Sequence, residues 1–285
     1  MVENYRFIDK SFDSKDITQY HLSLQVFLKG FSFCILDRER NKFIAIGHHY
    51  FERIISYRSL MDEVEQIISS DEILNLNYAH VKLIFSTPKS TFVPSSFYSI
   101  DKVEEFFSFN HKKSQFESLE VNYIYGNSTY LIYAIPQFIK EGFESRYPNL
   151  KIYHQSIPFI EELLLKNKLG GQNQGIYLNI YPDFYDLVYL EKGNLTLYNS
   201  FSYTNKSDFQ YYLLNTIDQL KLSPLEVPVF ITGLIPKNDP ITESIKQFVK
   251  QVDYLNYPSH FEYSFGFNQL PQHYFTNMLN LYQCG

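Results

Sequence analysis

Two stretches of this chain align on each other without a gap: LQVFLKGFSFCIL at 24–36 and LNIYPDFYDLVYL at 178–190. Each opens with Leu, then an amide (Gln25, Asn179), a β-branched residue (Val26, Ile180) and an aromatic ring (Phe27, Tyr181). Each ends an apolar run on Leu (Leu36, Leu190). Writing one strand pair twice constrains the fold to a duplication, because each copy needs its own sheet to join.

The elements around the two copies repeat as well. Three strands are expected between His21 and Phe51, where Leu22, Leu24, Val26 and Leu28 alternate with smaller or more polar neighbours. An amphipathic helix follows over 57–70, with Leu60, Met61, Val64, Ile67 and Ile68 on one face. VKLIF (81–85), STYLIYAI (128–135) and LKIYH (150–154) read as strands. Pro136 suits the first position of a helix to about Arg146, and Pro158 opens another through Leu165. Residues 88–118 carry prolines, serines and charge, and read as a loop-rich insertion with one short helix near Val103–Phe107.

KLGGQNQG (168–175) is the strongest linker signal, which divides the chain into halves 1–170 and 171–285. The second half offers GIYLNIY, YDLVYLEKG and NLTLYNSF as strands, then a helix capped by Ser207 with Phe209, Leu213, Ile217 and Leu220 on one face. The uncharged VPVFITGLI (227–235) suits a buried strand. Asp239-Pro240 opens a helix carrying Ile241, Ile245, Phe248 and Val252 inward, before a strand VDYLNY and a closing helix HYFTNMLNLY. Hairpins followed by helical crossovers predict an α/β protein: two mixed-sheet halves with flanking helices and a cleft between them.

Composition removes several function classes. A net charge of -6 gives no pull toward nucleic acid or an anionic membrane. No apolar run approaches the ~20 residues of a membrane span. The polar start MVENYRFIDKSFDSK has no secretory apolar core, so a cytoplasmic protein is expected. Cys34 and Cys284 make neither a disulfide framework nor a metal-binding pair. The 25 Tyr and 26 Phe suit either a sticky surface or strand packing, and their alternation favours packing for most.

The duplicated plan resembles the actin-like ATPase superfamily, particularly the pilus-assembly and cell-division actin homologues. That resemblance implies a duplicated actin-like (ribonuclease H-like) fold. In those relatives each first hairpin begins Asp-Ile-Gly or similar: the Asp works with the metal and its waters, and the Gly lets amides close on a phosphate. Here the trios are Gln25-Val26-Phe27 and Asn179-Ile180-Tyr181. The resemblance marks Gln25, Phe27, Asn179 and Tyr181 as degenerate phosphate positions. It also marks Gly233, in Ile231-Thr232-Gly233-Leu234, and Asp186 as residual cleft positions. More closely, LSLQVFLKGFSFCILD, VKLIFSTPKSTFVP, LNIYPDFYDLVYLEKGNLTLYNSF and FQYYLLNTIDQLKLSP resemble a bacterial family catalogued as domain of unknown function 3822.

Other candidates have plainer explanations. Asp37 and Asp183 sit where short acids serve turns, and Asp186 suits a local bond at a strand start. His48 and His49 are strand neighbours pointing to opposite faces, so they do not chelate one metal unaided, and one is expected buried, the other exposed. His154, His260 and His273 read as structural, and Cys34 as an inert small hydrophobe. G-x-x-x-x-G-K-[ST], G-x-S-x-G and H-E-x-x-H are missing.

The expected function is a non-catalytic scaffold or adaptor, a pseudo-ATPase needing no cofactor and no metal. The relatives' docked partner peptides imply an unidentified protein partner here, with a homodimer left open. Phe92, Phe97 and Tyr98, in a Pro/Ser-rich stretch, are the candidate contacts. The alternative is a divergent nucleotide or small-ligand binder, even an ATPase, using the cleft with ATP and Mg²⁺.

Overall fold

A computed structural model describes residues 3–171 and 173–285. Gln172, in the expected linker, lies outside the described residues.

The first half starts with Tyr5–Ile8 (β1), then the strands Tyr20–Phe27 (β2), Gly30–Asp37 (β3) and Lys42–Tyr50 (β4). Helix Tyr57–Ser70 (α1) crosses to His80–Phe85 (β5). Its Ser56 cap accepts from Ser59 N, and Leu60, Met61, Val64 and Ile68 are its buried face. Then come Ser90–Pro94 (β6), Val103–Ser108 (α2), Glu117–Ile124 (β7) and Thr129–Pro136 (β8). Gln137–Arg146 (α3), Leu150–His154 (β9) and Ser156–Lys168 (α4) complete this half.

The second half supplies Gly175–Ile180 (β10), Phe184–Glu191 (β11), Asn194–Ser202 (β12), Lys206–Gln219 (α5) and Val229–Gly233 (β13). Pro240–Lys246 (α6), Val252–Tyr254 (β14), Glu262–Tyr263 (β15) and Thr276–Asn280 (α7) follow.

Two of the sheets share one topology. The first runs β1-β4-β3-β2-β5-β9 and the second β12-β11-β10-β13-β14. Setting β1 aside, each places its third, second, first, fourth and fifth strands side by side, with an antiparallel hairpin and parallel crossovers. The duplication holds at residue level. Gln25 lies opposite Ser32 as Asn179 lies opposite Asp186, and Val26 opposite Phe31 as Ile180 opposite Tyr185.

The insertion differs from its expected form. β6 and β7 flank β8 in a separate antiparallel sheet, and α2 covers it through Phe107 against Val93, Ile132 and Ala134. A stretch read as loop therefore contains β6 and the start of β7, and STYLIYAI belongs to this sheet instead of a half's main one. After β14 the chain returns to the first sheet: β15 pairs with β4, and Met278, Leu279 and Leu281 pack on Cys34, Leu36 and Phe43.

Several caps also move. Asn205, not Ser207, caps α5; its side chain accepts from Ser207 N and Asp208 N. Pro136 is itself the cap of α3. Helix α6 stops at Lys246, leaving Val252 to β14.

Candidate functional site

The two equivalent hairpin turns meet where the halves face each other. Phe27 ends β2 and folds back over Gly30; a Cβ on that glycine would stand 2.1 Å from the ring. Tyr181 follows β10 and stacks on Phe184 at 4.5 Å between centroids. Phe27 and Tyr181 then meet edge to face at 5.8 Å, and with Phe184 and half-buried Leu234 they form a small closed cluster. Rings at these spacings are worth about 0.5–1.5 kcal/mol beyond their buried area.

The two amides serve this ring. Gln25 Nε2 donates to the Tyr181 hydroxyl at 3.0 Å and to Ser86 Oγ at 3.3 Å. Asn179 Nδ2 donates to the same hydroxyl at 3.1 Å. One phenol oxygen thus joins a side chain from each half. All four sequence candidates, Gln25, Phe27, Asn179 and Tyr181, are buried together here.

Asp186 lies deeper, on β11, and is 0% exposed. Its Oδ1 accepts from Ser200 Oγ, from the Tyr198 hydroxyl at 2.9 Å and from Gln155 Nε2 at 3.2 Å, while Oδ2 has no partner among the described residues. Burial raises its carboxyl to about 6, and hydrogen bonding from Ser200, Tyr198, Gln155 and Asn179 restrains the rise. It is the hub of a bridge between halves, not a local bond at a strand start. Gln155, whose carbonyl accepts from Asn277 Nδ2, was missed in the sequence, as were Tyr198 and Ser86. Gln155 and Ser86 bond partners 31 and 61 residues away, and Tyr198 reaches Asp186 from the neighbouring strand 12 residues on.

Gly233 ends β13 at φ 105°, where an added Cβ would lie 2.3 Å from Ile180 O. Close strand approach is reason enough for glycine there. Beside it opens a cavity of about 350 Å³. Lys29, His48, Tyr50 and Glu52 line it from the first half, and Tyr181, Tyr203, Leu234, Asp239 and Ile241 from the second.

The remaining candidates separate. Asp37 Oδ1 accepts from Glu39 N and Arg40 N, the expected turn chemistry. Burial raises the Asp183 carboxyl, and a bond from its own backbone amide works against the rise, in keeping with turn chemistry; its Oδ1 has no partner among the described residues. His48 is buried and bonded to Ser32 Oγ; His49 is half-buried, not exposed. His154 is fully buried between Ser156 Oγ and Thr87 O, and His273 bonds Ile235 O. His260 is exposed and meets Gln283 Nε2. Cys34 is buried and free, its thiol pushed up by burial. Among the described residues no group of three or more His, Cys, Asp or Glu is placed to hold a metal ion, and no helix is long and apolar enough to cross a membrane.

The insertion's aromatics are not alike. Phe97 is 72% exposed. Phe92 is half-buried against Tyr198, with ring centroids 4.4 Å apart, so it joins the insertion to the second sheet. Tyr98 stacks on Tyr130 at 3.8 Å. The expectation of an exposed aromatic fits Phe97 and fails for Phe92 and Tyr98.

Comparison with known proteins agrees with this fold. A protein from Bacteroides thetaiotaomicron VPI-5482, with an actin-like ATPase fold and unknown function, superposes with a TM-score of 0.82 at 24% identity, covering 96% of this chain and 99% of its own. The PilM-PilN type IV pilus biogenesis complex matches with a TM-score of 0.56 at 11% identity, covering 92% and 97%. No curated protein sequence matches the chain. The profile of the family described as protein of unknown function (DUF3822) matches residues 9–252. The chain belongs to that family and has the actin-like ATPase fold.

Proposed function

We propose that this protein is a non-catalytic actin-like scaffold of the cytoplasm that works by binding another protein. The observation that carries the reading is the contact of Phe27 with Tyr181 across the halves, at the two turns that hold phosphate in the ATPase relatives. Mg·ATP does not fit these residues. Gln25 and Asn179 bring amide donors instead of carboxylates, and both are engaged by the Tyr181 hydroxyl. Two rings occupy the space where backbone amides would have to close on phosphate oxygens.

A partner is supported by analogy: the similar PilM fold occurs in a complex with PilN. Phe97 is the exposed aromatic best suited to an anchor. Calorimetry with Mg·ATP should give no saturable heat, and no phosphate should be released. Tight binding with turnover lost on changing the cleft would make the protein an enzyme. Phe97→Ala, expected to change stability by less than about 0.5 kcal/mol, should remove a partner from material captured out of native cytosol. Unchanged capture would move the anchor elsewhere.

A further inference from the structure

The 350 Å³ cavity beside the aromatic cluster has a chemistry opposite to that of a nucleotide site. Three tyrosines, Tyr50, Tyr181 and Tyr203, stand in its wall, and Ile180, Leu234, Ile235, Pro236 and Ile241 give an apolar lining. Glu52 and Asp239 line it too, against one cation among the described residues, Lys29. Asp183 lies in the adjoining turn and is near enough to act on both Tyr50 and Tyr203. Burial first, then these carboxylates, raise both phenols above their ordinary range: Glu52 and Asp183 for Tyr50, Asp183 and Asp239 for Tyr203. The wall therefore carries negative charge beside electron-rich rings.

His48 supplies an independent sign of a ligand. It lines the cavity, is 1% exposed, and its Nε2 has no hydrogen-bond partner among the described residues. Burial lowers it to about 4, so the ring is neutral at pH 7. Its Nδ1 meets Ser32 Oγ at 2.9 Å. In the tautomer that donates from Nδ1 to Ser32, Nε2 is a free acceptor for an N–H group. Rings of Phe275 and Phe27 at 5.5 and 6.3 Å hold the imidazole in place.

We infer that this cavity is a binding site for a small organic cation, an amine carrying an apolar or aromatic body. Its ammonium group is held by the rings of half-buried Tyr50 and Tyr203 and by Glu52 and Asp239, and an N–H reaches His48 Nε2. Cation–π contact and charge act together, while a phosphorylated molecule meets repulsion. This goes beyond the scaffold reading and does not depend on a protein partner.

The test uses one ring with three charges: benzylamine as its ammonium, benzyl alcohol and benzoate, titrated at pH 7 by calorimetry and protein-observed NMR. Benzylammonium should saturate, about tenfold tighter than the alcohol, with benzoate weakest and shifts centred on Tyr203 and His48. Glu52→Gln, on the exposed rim, should narrow the ammonium-to-alcohol ratio several-fold at an unchanged melting temperature. Ile241→Trp should fill the space and abolish binding of all three. Benzoate binding as tightly as the ammonium, no saturable ammonium binding, or full binding by a folded Ile241→Trp protein would overturn the inference. Should that variant not fold, an unchanged ratio in Glu52→Gln would overturn it equally.

Discussion

Val26 and Ile180 hold the same place in the two sheets, and the chain leaves each of them differently. Val26 O accepts from Ser86 N at 2.8 Å, and Ile180 O from Leu234 N at 3.0 Å. The residue before the donor is Phe85 in the first half and Gly233 in the second. Phe85 is buried in the large core beneath the insertion. Gly233 turns at φ 105°, and its amide reaches His273 O in the C-terminal segment that returns to the first sheet. The duplicated backbone was kept where strands pair and changed where it hands the chain to the next element. Side chains follow the same split: Gln25 and Asn179 stay alike, whereas Ser32 corresponds to Asp186 and Gly30 to Phe184.

The largest test of that difference is Gly233→Ala. A methyl 2.3 Å from Ile180 O and 2.6 Å from Ile180 N would have to displace backbone, in a conformation L residues rarely adopt. A loss of about 3 kcal/mol or more is expected in urea unfolding. Gly170 is the control: its φ is also positive, at 90°, but nothing lies within 4 Å. Gly170→Ala should cost about 1 kcal/mol. Equal losses at the two sites would show that backbone angle alone, and not strand approach, separates Gly233 from Phe85.

The contrast also explains what was legible in the sequence. Hairpin and crossover elements are written locally, by alternation and caps, so the two copies align on residue type alone. Strand β7 was legible by the same rule and was passed over: in ESLEVNYI, Leu119, Val121 and Tyr123 alternate with Ser118, Glu120 and Asn122, although only Ile124 is fully buried. It pairs with β8. Asn205 and Ser207 are both competent caps, and only the backbone at Asn205 decides between them. Gln25 and Asn179 were visible as positions, but their shared acceptor was not, because Tyr181 lies 156 residues from Gln25. Long-range partners such as Gln155 for Asp186 leave no periodic trace.

The second test concerns Asp186, whose counterpart Ser32 cannot titrate in the same range. The Asp186 carboxyl is raised from 3.8 to about 6 by burial, so the folded state binds its proton more tightly than the unfolded state. Its contribution to stability is therefore fully present below pH 4 and lost as pH rises through 6, on the order of 3 kcal/mol. The buried histidines act the other way. Burial lowers His21 and His154 to about 3 and His48 to about 4 from 6.5, so their stability is present above pH 6.5 and lost on acidification. The wild type should thus lose stability from pH 6.5 downward. Asp186→Asn should lose it more steeply between pH 6 and 4, and be the more stable protein at pH 7. Parallel wild-type and variant curves, from unfolding at stepped pH, would mean that Asp186 titrates normally.

The smallest effect belongs to the bond that joins the two copies. Tyr181→Phe keeps the ring against Phe27 and Phe184 and deletes only the oxygen that accepts from Gln25 and Asn179. Gln25 keeps Ser86 Oγ at 3.3 Å, whereas Asn179 Nδ2 loses the phenol as its acceptor. A buried donor without its partner costs about 1–3 kcal/mol, and the retained Ser86 contact places the expected loss near the lower end, about 1–2 kcal/mol. A double-mutant cycle with Gln25→Met isolates the cross-half part, because Met fills a similar volume without a donor. Coupling of about 0.5–1 kcal/mol would show that the phenol ties the first hairpin to the second. Additive losses would assign the Tyr181 hydroxyl to Asn179 alone, a bond within one copy. The halves would then be held at this point by ring contact and not by hydrogen bonding.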